Sequence, residues 1–265
     1  MMSEKLQLFQ IDTFTDTIFG GNPAAVLLLK EWLSAEKMQK IANENNLAET
    51  VFIVQKEKAL FEIRWFTPTV EVDLCGHATL AAAYVLFTYH GFSLDRVNFH
   101  SHASGVLSVT KKEDALTLDF PVDSYTSVNP PQELLEAFDA VPIETYKGKT
   151  DYLLIFSSQK EVEMAKPNLN LIKSCDSRGV IITAQGEEVD FVSRFFAPQS
   201  GIDEDPVTGS AHTTLTPIWS KKLGKLTLSA QQLSARKGEL TCTLKGNRVQ
   251  ITGKAVTYMI GELLL

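Results

Sequence analysis

Cysteine is scarce. The 265 residues include three, Cys75, Cys175 and Cys242. Their odd number and spacing fit neither a zinc motif nor a disulfide framework, so they read as free thiols of a reducing cytoplasm. Positive charge is also in short supply. With 25 Lys and Arg against 32 Asp and Glu, the net charge is −7, which makes nucleic acid and anionic membrane surfaces poor partners. No apolar run reaches the ~18 residues that a membrane span needs. The opening stretch, MMSEKLQLFQIDTF, lacks the basic-then-apolar pattern of a secretory signal, and the expected location is cytoplasmic. The remainder is 44% hydrophobic and 22% charged, an ordinary globular composition long enough for one large or two medium domains.

Strands and helices alternate along the chain. KLQLFQIDTF and AAVLLL read as strands, and SAEKMQKIANENN as a helix capped by Ser34. TVFIVQ and FEIRWFTP read as two strands of a hairpin. GHATLAAAYVLFTYHG is an Ala-rich helix that stops at Gly91. Strands and turns fill 96–121, and Pro130 and Pro131 open a short helix.

The second half repeats this order. Residues 51–68 align with 181–198 at a shift of 130, with six of 18 positions identical: Gln55/Gln185, Glu57/Glu187, Phe61/Phe191, Arg64/Arg194, Phe66/Phe196 and Pro68/Pro198. After an insertion of three residues the shift is 133, which sets Gly76 on Gly209 and GVLSVTKK on GELTCTLK. A shift held across separate segments implies a duplicated α+β unit. The expected fold class is α+β with two similar lobes related by pseudo-two-fold symmetry, residues 1–122 and 123–265, the last strand being free to pack on the first lobe. The turn–helix starts DLCGHATLA and DPVTGSAHT are then equivalent, and the expectation is that they face one cleft.

First-turn amides of a helix lack internal partners and sit at the positive end of its dipole. Gly76 and Gly209 allow close backbone approach there, so both starts are candidate sites for a small carboxylate. Well-capped helices of no further function are the plainer alternative. Asp205 precedes the second start and Ser210 lies inside its first turn. Asp205 is placed to orient or exchange a proton with a substrate, with Ser210 and the amides holding polar groups; the alternative is an N-cap at Asp205 or Thr208. DEDPVT also has the outline of a phosphatase nucleophile motif, but FAPQSGI before it is not the apolar strand that motif follows.

Glu49 stands between a helix ending near Asn45 and Asn46 and an apolar strand. Alone, such a residue is usually a solvated loop carboxylate. In CGHAT, His77 is expected to titrate near neutrality and to hydrogen-bond a substrate. Cys75 at the helix start is a candidate reactive thiol. A core histidine and a core thiol are the alternatives. His100 and His102 share one face of an expected strand, and two ligands do not make a metal site.

Together FGGNPAAVLL, NLAETVF, RWFTPTVEVDLCGHATLAAAYVL and EDPVTGSAH resemble the PhzF family of phenazine-biosynthesis-like isomerases, in family order from about residue 8 onward. The resemblance implies the two-lobed diaminopimelate-epimerase fold, each lobe wrapping a mixed sheet around a central helix. It implies that Glu49 is the catalytic glutamate moving a proton between substrate carbons, that His77 and Asp205 act beside it, and that Ser210 contacts the substrate. Asn22 of GGNP is a binding residue by the same argument, and Cys75, Gly76 and Gly209 complete the substrate-binding set. Related epimerases use one cysteine per lobe. Here Cys75 is present but its mate is replaced within EDPVTG, which disfavours a two-thiol racemase.

The chemistry asks for one base within reach of two carbons and fixed dipoles for the enolate-like charge. It asks for no metal and no organic cofactor. The expected partner is a small carboxylate-bearing molecule, and the reading leaves room for a homodimer. An amino-acid racemase or epimerase, with Cys75 or Glu49 facing Asp205, is the second enzyme reading. A binding module on the same fold is the third.

Overall fold

A computed structural model describes residues 5–265. The chain divides into two compact units, Met1–Asp119 with Thr252–Leu265, and Phe120–Ile251. No helix among the described residues is long and apolar enough to cross a membrane.

In the first unit, β1 (Lys5–Thr13) pairs antiparallel with β2 (Asn22–Leu29), and β2 runs parallel to β3 (Glu49–Glu57). Between them α1 (Ala35–Asn45) makes the crossover that a parallel pair requires. β3 pairs antiparallel with β4 (Leu60–Phe66), as expected of the hairpin. β4 then borders the short β5 (Glu71–Val72) and lies parallel to β6 (Arg96–Ser101), the crossover being α2 (Gly76–Tyr89). β6 continues antiparallel to β7 (Gly105–Lys112), and β7 to β8 (Ala115–Pro121).

The second unit opens with β9 (Tyr125–Ser127), α3 (Gln132–Ala137), β10 (Glu144–Gly148) and β11 (Asp151–Ile155). Two short helices follow, α4 (Gln159–Met164) and α5 (Leu169–Ser174). Then come β12 (Gly179–Gln185), β13 (Phe191–Ala197), β14 (Ile202–Asp205), α6 (Gly209–Leu223), β15 (Thr227–Gln232) and β16 (Gly238–Lys245). β17 (Arg248–Gly253) leads back to β18 (Ala255–Leu264), which pairs antiparallel with β1 in the first unit.

The pairing sense repeats. From β1 to β7 it runs antiparallel, parallel, antiparallel, parallel, antiparallel, and from β10 to β16 it does so again. The repeat extends to side chains. Arg64 makes two hydrogen bonds of 2.6 Å to Glu71 and sits over the Phe66 ring at 5.3 Å. Arg194 grips Glu204 with bonds of 2.7 and 2.9 Å over the Phe196 ring at 4.9 Å.

The strands of each unit are covered by helices of two kinds. α1, capped by Ser34 Oγ accepting from the Lys37 amide, turns Met38, Ile41 and Ala42 onto Phe52, Val54 and Phe66. In the second unit that covering role falls to α3–α5, whose Leu134, Val162 and Ile172 pack with Leu154, Ile182 and Val192. α2 is apolar on all sides, and nine residues from His77 to Leu86 are buried. Such a helix belongs inside a sheet that curls round it, and its run of alanines lets strands approach closely. α6 buries nine residues likewise, including Trp219, which stacks on Phe191 at 5.9 Å.

Pro217 lies inside α6. It has no N–H to offer the Thr213 carbonyl one turn back. That carbonyl accepts instead from the Asp123 amide at 3.3 Å, and Thr214 Oγ1 donates to Asp123 Oδ2 at 2.8 Å. The gap in the helix ladder therefore anchors the segment that enters the second unit.

Candidate active site

In the first unit three element starts meet. Asn22 begins β2, Glu49 begins β3, and the two strands are parallel and in adjacent register, Ala24 opposite Glu49. Gly76 begins α2 after Cys75 at the N-cap position. The GGNP turn explains how Asn22 gets there. Gly21 has φ +58°, and a Cβ on it would lie 1.9 Å from the Thr13 carbonyl oxygen. Only glycine fits. Thr13 Oγ1 then donates to the Asn22 carbonyl at 3.0 Å and closes the turn.

His77 lies at the centre of the group. Asn22 Nδ2 is 3.2 Å from its Nδ1, and Cys75 Sγ is 3.4 Å from the same nitrogen. On the other side of the ring, Nε2 lies 3.2 Å from Glu49 Oε2, close but out of line for a hydrogen bond. All of these side chains are buried: Glu49 is 9% exposed, Cys75 7%, His77 4% and Asn22 not at all.

One expectation about His77 is corrected. Its pKa does not sit near neutrality, because burial lowers it to about 3, a pull that the hydrogen bond to the Pro23 carbonyl offsets only in part. His77 is a neutral imidazole beside a buried carboxylate. It supplies polarity and hydrogen-bonding capacity without a cation that would bind Glu49 up in an ion pair.

The second unit collects the other expected residues. Asp205 ends β14 and Gly209 begins α6, with Thr208 as the N-cap residue. Neither Thr208 nor Cys75 makes a side-chain capping bond to its helix, and each first turn lies at the positive end of its helix dipole. Thr208 Oγ1 donates to Asp205 Oδ2 at 2.5 Å. Asp205 is thus oriented by the cap residue and is not itself the cap.

Two residues that were not expected from the sequence hold this loop. Gln232 is fully buried; its Nε2 donates to the Asp205 carbonyl at 2.8 Å and its Oε1 accepts from the Thr208 amide at 2.8 Å. Arg178 donates both Nε and Nη2 to Asp151, and Nη2 also reaches Ser210 Oγ at 3.0 Å. Burial works against the Arg178 charge, but Asp151, Asp205 and Asp123 hold its pKa above the usual value. Each is a single polar residue whose partners lie 24–32 positions away, so no local motif marks it.

His100 ends near the tip of β6 and His102 lies beyond the strand in the turn, their rings 5.9 Å apart. All three cysteines are buried and none is in a disulfide.

The match to known proteins spans nearly the whole chain. The model of the phenazine biosynthesis-like proteins, PhzC-PhzF, matches residues 11–261. The chain belongs to this family. An uncharacterised isomerase of Pseudomonas aeruginosa is 48% identical over 262 residues, covering 98% of this chain and 99% of that protein. Among solved structures, a PhzF-family protein of Enterococcus faecalis has a TM-score of 0.95 at 45% identity, covering 99% of this chain and all of that one. The fold extends further. A hydroxyproline epimerase of Agrobacterium vitis has a TM-score of 0.63 at 10% identity over 98% of this chain and 93% of its own, which shows the shared epimerase-type α+β fold of this family and nothing about its reaction.

Proposed function

We propose that the chain is a cofactor-independent isomerase that moves a proton between carbons of a small carboxylate-bearing substrate, with Glu49 as the acid and base. The observation that carries this reading is the buried Glu49 carboxylate 3.2 Å from the neutral ring of His77. The isomerase names of relatives that align end to end support the class.

A carboxylate with little access to water, beside a neutral partner, is suited to take a proton from one carbon and return it to another. His77, positioned by Asn22, offers its ring to the substrate oxygen on which charge develops. The α2 first-turn amides at Gly76 supply fixed dipoles for an anion. In the second unit Thr208, Gln232 and Arg178 orient Asp205 and Ser210, polar groups suited to a carboxylate-bearing molecule, and the α6 start at Gly209 presents first-turn amides of its own.

The test is proton transfer followed in deuterium oxide. Small cyclic carboxylic acids and amino acids are incubated with the protein and read by NMR. A relocated double bond with deuterium at the new position supports the proposal. Washout at an α-carbon with unchanged connectivity would favour a racemase, and no exchange with any compound would favour a binding protein. With a compound that turns over, Glu49→Gln should slow exchange by about 10²–10⁴-fold. Turnover at the wild-type rate in that variant would remove Glu49 from the role.

A further inference from the structure

Glu49, Cys75 and His77 bring together a carboxylate oxygen, a thiol sulfur and an imidazole nitrogen within 4.8 Å of one another, all three residues buried. These are the three donor types that zinc takes. Donors at zinc bond lengths of about 2.0–2.3 Å in a tetrahedron lie about 3.3–3.8 Å apart. Here Nε2 to Oε2 is 3.2 Å, while Sγ lies 3.4 Å from the other ring nitrogen, Nδ1, so the ring or the thiol must turn for all three donors to face one ion. The second observation is His77 Nε2, a buried nitrogen with no hydrogen-bond partner among the described residues, turned toward Glu49.

We propose that this cluster is an inhibitory site for a borderline-soft divalent cation, zinc being the best fit, bound by Glu49, Cys75 and one ring nitrogen of His77 with a fourth position open. Binding breaks the Cys75 S–H bond and forms a metal–sulfur bond; the proton leaves to solvent and no electrons are transferred. The ion takes the carboxylate that the proposed reaction uses, so it competes with substrate and is not a cofactor. The soft thiolate selects zinc, cobalt or copper over magnesium and calcium. The proposal rests on donor geometry and not on the reaction, so a chain that isomerises nothing could still bind the ion.

The full-length protein is titrated with Co²⁺ and followed by absorption, then with Zn²⁺ by calorimetry. The expected result is one equivalent, a thiolate-to-cobalt charge-transfer band that Zn²⁺ abolishes, and no effect of Mg²⁺. Loss of an outer-shell partner alone costs 10–100-fold in affinity, so Cys75→Ser, which removes a ligand, should weaken binding by at least about 100-fold and erase the band. Glu49→Gln should keep the band and bind at least about 10-fold more weakly; it serves as the second probe should the serine variant not fold. A titration with no charge-transfer band, a band that survives in Cys75→Ser, or unchanged affinity in Glu49→Gln would overturn the assignment.

Discussion

Acidification should destabilise this protein before its carboxylates begin to protonate, because two histidines are buried as neutral rings. Burial lowers His77 to about 3 and His212 to about 4, from an ordinary value of 6.5. Hydrogen bonds to the Pro23 and Thr208 carbonyls oppose that shift and do not reverse it. Between those values the unfolded chain binds protons that the folded chain refuses. Stability is therefore complete above the unfolded value and falls as pH drops from 6.5 toward the folded values. At pH 5 each ring withholds about 2 kcal/mol, from 1.5 pH units at about 1.36 kcal/mol each, and the two together about 4 kcal/mol. That is a large part of the 5–15 kcal/mol that holds a typical domain. His90 shifts in the same direction through burial, but it is exposed at the end of α2 and solvent screens it. The salt-bridged carboxylates Glu62, Glu144 and Asp190 have ordinary values of 4.5, 4.5 and 3.8 and contribute mainly below pH 5. The assay is urea unfolding from pH 7.5 to 5, read by fluorescence of the buried Trp65 and Trp219. His212→Gln will lose packing at every pH, so the level of stability is not diagnostic, but its slope below pH 6.5 should be about half that of wild type. A flat stability profile over that range, or imidazole NMR signals of both rings titrating near 6.5, would refute the reasoning.

Gly21→Ala should be destabilising by several kcal/mol, since φ +58° and a Cβ 1.9 Å from the Thr13 carbonyl oxygen force the turn open; thermal unfolding would show it, and a variant as stable as wild type would contradict the geometry. Gln232→Leu should cost about 1–3 kcal/mol by leaving the Thr208 amide and the Asp205 carbonyl without their clamp, measured by the same urea unfolding. Cys75→Ser should retain most of the turnover if Glu49 does the chemistry, because a hydroxyl replaces the thiol with little change in packing; near-complete inactivity in a folded variant would promote the racemase reading.

Much of the first unit was legible because its signals are local. Ser34 before a helical period, the apolar TVFIV before a charged turn, and an alanine-rich run closed by Gly91 each place an element within a few residues. The second unit was harder. α3 follows Pro131 as expected, but α4 and α5, six residues each, are too short for an amphipathic period to declare itself. Ser158 and Glu161 form a capping box on α4, so a start signal existed, but the helix behind it ends within two turns.

The site divides in the same way. GGNP and CGH could be found because their constraints lie within the chain segment: a left-handed glycine, a helix start, a side chain two positions on. Arg178 and Gln232 could not, since each matters through a partner 24 or more residues distant. The error over His77 has a related cause. Nothing in CGHAT distinguishes a titrating imidazole from one pushed to about 3, because desolvation comes from the strands that close over the ring. The proposed chemistry depends on that difference. A charged His77 would form an ion pair with Glu49, whereas a neutral ring at 3.2 Å does not. The duplicated unit supplies a contrast at the equivalent helix start. There Ser210 occupies the place of His77, Thr208 that of Cys75, and the nearby Asp205 carries a bond from Thr208. One backbone motif, a helix start whose N-cap residue makes no side-chain capping bond, thus carries two different sets of polar groups in the two units.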